Sequence, residues 1–161
     1  MTIHRLNADV LALEDLDPFC QQLLQEIPSS ADPQGSSDAE ARLFPAPTRG
    51  AEPASDEDWR EYVAPDLRES FKSAVDVVQA DLRRLPEHSD DAPATLRIPC
   101  ENLEAWVHTL NQARLTLTAR HGFTEEELER HLELEGSSRA LALLRVHFYG
   151  LLLELFLREL E

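Results

Sequence analysis

The side chains best suited to chemistry gather in LNQARLTLTARHG (110–122) and in RVHFYGLLLELFLREL (145–160). A helical reading of the first stretch turns Arg114 inward, close to Asn111 and about 1.7 turns before Arg120. An inward guanidinium requires a carboxylate or several carbonyls, because an unpaired charge in a core costs several kcal/mol. Arg145, inside the apolar arc of the second stretch, raises the same question. Either each arginine is half of an ion pair that holds helices in register, or Arg114 and Arg145 form an anion or carboxylate clamp with Asn111 or His147. The ion pair is the ordinary outcome.

A metal site has one weak candidate. Glu127, His131 and Glu135 are spaced by four, so one helical face would offer two carboxylates and an imidazole to a divalent ion. A helix that also carries Glu125, Glu126, Glu129 and Glu133 usually turns such a face to water, so no metal and no cofactor is assigned. The chain has no Gly-rich phosphate loop, no GxSxG elbow and no HExxH. Its six histidines include no pair at i, i+3 or i, i+4. No catalytic residue is assigned, and the reading leans away from an enzyme.

The charge balance narrows the partners. Thirty-one acids against fifteen bases give a formal charge of −16. Affinity for nucleic acid comes largely from Lys and Arg at phosphates, and anionic membranes attract the same residues, so neither partner is expected. The N-terminus, MTIHRLNADVLALEDLD, has no basic segment followed by an unbroken apolar run, which implies a cytoplasmic protein. Cys20 and Cys100 form no CxxC and read as small buried hydrophobes in that compartment.

The elements that must position these residues are mostly helical. TIHRL (2–6) and VLAL (10–13) suggest a small hairpin turning at Asn7–Asp9, which TLRIP (95–99) could join. Asp17-Pro18 is a cap and first-turn pair for a helix that Pro28 should end. Residues 28–54 hold five of the ten prolines and read as a partly mobile loop, pinned to the body by Leu43 and Phe44 of ARLFP. Ser55 with Asp58 suggests the cap of a short helix carrying Trp59 and Tyr62. Leu67, Phe71, Ala74, Val78, Leu82 and Leu85 form one helical stripe that Pro86 stops, and 86–94 is expected to be loop. A further helix runs from about Glu101 to Arg120, with Leu103, Trp106, Val107, Leu110, Ala113 and Leu117 inward and Gly122 closing it. Thr124 with Glu127 is a capping box for a helix ending at Gly136.

The last helix is apolar on most sides. Only His147, Glu154, Arg158 and Glu161 form a polar stripe. Arg145 and Glu154 each cost roughly 2.5–3.5 kcal/mol near a bilayer centre, so a membrane span is not expected. The sequence implies instead a single domain over 1–161: a mainly α multi-helix bundle around a central C-terminal helix, with a small N-terminal β element. Part of the apolar surplus could close a homodimer.

ARLFP, WREYVAPDLRESF, AWVHTLNQARLTLTARHGFTEEE and LRVHFYGLLLELFLREL, in that order, resemble an uncharacterised bacterial family of small helical proteins. Its members are most numerous in actinobacteria and are often encoded beside the ClpS adaptor. Trp106, Leu110, Asn111, Arg114 and Leu115 carry the most specific part of the likeness. Gln112 departs from it, standing where the family pattern has an acid. The resemblance supplies no catalytic residue. It implies a helical fold and a link to regulated proteolysis, and with the acidic surface it favours a non-enzymatic protein that binds a protein partner.

Overall fold

The computed structural model describes residues 1–85, 93–129 and 136–160. The expected loop at 86–94 falls almost wholly outside them, as do His131 and Glu135. Thr2–Asn7 (β1) and Val10–Leu16 (β2) form the antiparallel hairpin, and the Asn7 side chain accepts from the Asp9 amide at its turn. Ala94–Pro99 (β3) pairs with the other edge of β2. Central in the sheet, β2 buries Leu11, Ala12 and Leu13 completely.

Among the described residues eight α-helices follow or interleave with this sheet: Pro18–Gln25 (α1), Ile27–Ala31 (α2), Ser37–Leu43 (α3), Pro53–Tyr62 (α4), Ala64–Leu82 (α5), Leu103–His121 (α6), Glu125–Glu129 (α7) and Ser138–Leu160 (α8). Asp17 caps α1 as its sequence suggests, accepting from the Cys20 amide at 2.7 Å. Gly122 ends α6 in the left-handed region at φ 59°, where a Cβ would be strained.

Three local expectations need correction. Residues 28–54 contain α2, α3 and the start of α4. Pro28 sits in the first turn of α2, where a missing N–H costs nothing, and does not terminate a helix. The acid that organises the start of α4 is Asp56. Its buried carboxylate accepts from the Thr48 amide and hydroxyl and from the Gly50 amide, closing the turn before the helix. Leu43 and Phe44 do pin the segment down, at 6% and 9% exposure.

The molecule is mainly α with an N-terminal β element, as its sequence implies, but the helix at its centre is α6. It packs against α2, α3, α5 and α8 and is buried along two sides, by Leu103, Trp106, Leu110, Ala113 and Leu117 and by Thr109, Gln112 and Thr116. Trp106 and Phe156 of α8 meet edge to face, with centroids 5.7 Å apart. The apolar α8 covers one flank of α6 through Ala142, Val146, Tyr149, Leu152, Leu153 and Phe156. Its outer side is partly open, with Leu151 50%, Leu157 44% and Leu160 48% exposed.

Candidate functional site

The two arginines singled out by sequence have separate fates. On α8, Arg145 lies on the side facing the α1–α2 junction, with its Nη2 2.5 Å from Oε2 of Glu26. Both side chains are roughly three-quarters buried, which makes this a structural ion pair. Four residues along, the Tyr149 hydroxyl donates to the Leu23 carbonyl at 3.0 Å and lies 3.3 Å from the Ser30 hydroxyl. Burial pushes the Tyr149 phenol up to about 12, so it stays a neutral donor. Together these contacts fix α8 to α1 and α2.

Arg114 does not share that arrangement. It lines a cavity of about 300 Å³ between α6 and α8, with His147, Gly150, Leu151 and Glu154 along one wall and Leu128 of α7 at an end. Gly150 lets the guanidinium lie against α8, since a Cβ there would stand 3.3 Å from Arg114 Nε. Buried Nε of Arg114 and buried Nε2 of His147 find no hydrogen-bond partner among the described residues. The expected constellation therefore divides. Arg114 and His147 come together, Arg145 is committed to Glu26, and Asn111 is exposed and lines no part of the cavity. Arg120 points away and donates to the carbonyls of Asp32 and Gln34, holding the chain after α2.

The weak metal candidate keeps only Glu127 in view. Its carboxylate bonds to Arg139 at 2.6 Å and accepts from the Thr124 amide at 2.9 Å, completing the expected capping box. The Arg139 bond, then the Thr124 amide, hold its pKa down to about 2. Among the described residues no group of three His, Cys, Asp or Glu side chains could hold a metal ion. Cys20 and Cys100 are free and half-buried, and burial pushes the Cys20 thiol up, away from reactivity.

Two features were missed from sequence. One is a groove of about 570 Å³ in which Phe44, Phe71 and Val75 meet Arg68, Lys72 and Gln112. Arg68 pairs with Glu40 at 2.7 Å and lies 4.1 Å from the Phe44 ring centroid, so its charge is already engaged. The second is a buried network on Asp81, which accepts from the Trp106 indole at 3.0 Å and from the Asn102 amide, with Arg84 3.1 Å away. The indole N–H was the available signal: once Trp106 is read as inward, it must find an acceptor.

A hairpin-flanked bundle around α6, with a small cavity lined by Arg114, His147 and Glu154 and a partly open apolar helix face, defines a mainly α domain with a small β element. The chain matches the model of a domain of unknown function, DUF2017, over residues 2–160, and belongs to that family. Comparison with curated proteins and with solved structures gives no match.

Proposed function

We propose that this chain is a non-enzymatic protein-interaction module that meets a partner through the outer face of α8. The observation that carries the reading is the mismatch between the composition of this helix and its cover. Its most apolar 18-residue window has a mean hydropathy of 1.7, yet only 28% of that window is buried. Exposed apolar surface concentrated on one element marks an interaction site better than scattered single residues do. By length and composition α8 could also cross a membrane. Leaving the body would separate Arg145 from Glu26, strip Tyr149 of the Leu23 carbonyl and expose Trp106, and these costs favour a protein partner. The neighbourhood of the ClpS adaptor implied by the family resemblance makes a component of regulated proteolysis the first partner class to try.

The test is affinity capture with the wild-type chain and with Leu144→Glu/Leu151→Glu. A defined protein held by the wild type and lost at least tenfold by the variant supports the reading. Equal recovery by both chains, or no partner held by either, a second copy of the chain included, rejects it.

A second reading has its own support in the unpartnered Arg114 and His147 nitrogens: a small carboxylate or phosphate ligand in the α6–α8 cavity. Calorimetry with inorganic phosphate and simple carboxylates should then show binding that Arg114→Ala removes. Binding that survives the substitution counts against it.

A further inference from the structure

We propose that the chain binds a second copy of itself, antiparallel along α8, with Glu154 of each copy entering the Arg114–His147 cavity of the other. This rests on the interaction reading of α8 and names its partner. Leu141, Leu144, Phe148, Leu151 and Leu155 follow one another at intervals of three, four, three and four. That is the period of a helix–helix seam, and it runs along the outer side of α8, away from the stripe that packs on α6. None of the five is fully buried, and Leu151 at their middle is half exposed. The helix therefore carries a second seam that is only partly covered within the chain, with Leu151 as its open point.

Charge decides the occupant and its direction. In a parallel pairing Arg158, next in the seam, would face Arg158 of the second copy, and Glu154 would lie beside its Glu159. Both contacts join like charges. In an antiparallel pairing Phe148 faces Leu151 and Leu144 faces Leu155, and the flank brings His147 opposite Glu154, twice by symmetry. Glu154 is exposed in the single chain. The two unpartnered nitrogens, Arg114 Nε and His147 Nε2, belong to residues that line the cavity beside Leu151. Glu154 of the same chain lines this cavity yet leaves both nitrogens unpaired, and a carboxylate from the second copy supplies them an acceptor. The 23-residue helix offers a face about 35 Å long and about 10 Å wide. That is under half of the ~800 Å² per partner in a standard interface, so the pairing is a weak, transient one and micromolar concentrations are the range to test.

Sedimentation velocity of the full chain from about 1 to about 500 µM, spanning that range, reads the dimer directly. The expected result is a concentration-dependent dimer that Leu151→Glu abolishes. Glu154→Lys and His147→Glu should each weaken it at least tenfold, while an equimolar mixture of the two variants regains it. Only an antiparallel pairing restores opposite charges at both contacts of the mixed dimer. Circular dichroism melts confirm that each variant is folded; if His147→Glu is not, Glu154→Gln should still weaken the wild-type dimer. A monomer at every concentration, a dimer indifferent to Leu151→Glu, or a mixture no tighter than its components overturns the proposal. A monomer that still captures a different protein through Leu151 leaves the interaction reading standing.

Discussion

Asp81 is a fully buried carboxylate, and three donors converge on it from two segments. Replacing it with Ala strands the Trp106 indole and the Asn102 amide together, a loss of about 3 kcal/mol. Asp81→Asn, which keeps an acceptor, should lose less; urea denaturation of both variants measures the difference. Glu127 makes a pH-dependent contribution of known sign. Its pKa is depressed from 4.5 to about 2 in the folded chain, so its stabilisation is present above about pH 4.5 and disappears as pH falls towards 2. Arg139→Ala should return the Glu127 titration, followed by NMR, towards its ordinary position and flatten the acid limb of stability. At this scale the sequence disclosed that Arg114 and Arg145 turn inward but not whom they meet, and it did not disclose the buried Asp56 and Asp81. Arg114 and Arg145 looked alike because both lie on inward arcs, and Glu26, 119 positions from Arg145, carries no mark of its role.

Among the elements, α5, α6 and the three strands were legible because each is long enough to display its period or paired enough to display its turn. The helices α2 and α3, five and seven residues long, are too short for periodicity to emerge from a Pro- and Ser-rich background, and they read as loop. The two faces of α8 make opposite predictions for neighbouring leucines. Leu152→Ala opens the core beneath α8 and should cost about 2–5 kcal/mol. Leu151→Ala should change stability by less than about 0.5 kcal/mol at low protein concentration. Thermal denaturation of the two variants decides whether the outer seam has a folding role. Equal losses would mean that α8 is covered on both sides.

For the whole molecule, composition pointed to the wrong centre. The sequence favoured α8 because it is apolar almost all round, whereas α6 carries Thr109, Gln112 and Thr116 in its buried surface. Gln112 and Thr116 fit there because both donate to the Ala31 carbonyl, a contact available only after α2 has docked. The formal charge of −16 on each copy opposes self-association. Added salt should therefore tighten the dimer by screening repulsion beyond about 10 Å, a dependence that sedimentation at two ionic strengths would read. The sheet and α8 are also clipped together at their ends: Arg5 donates to the Glu159 carbonyl at 2.6 Å and meets its carboxylate at 3.2 Å. Residues 5 and 159 of this polypeptide thus lie side by side. Joining its ends by a short Gly/Ser linker should leave the native state undisturbed while shrinking the ensemble reached on unfolding. By polymer entropy a loop of this size is worth up to about 4–5 kcal/mol, so the cyclised chain should melt well above the linear one.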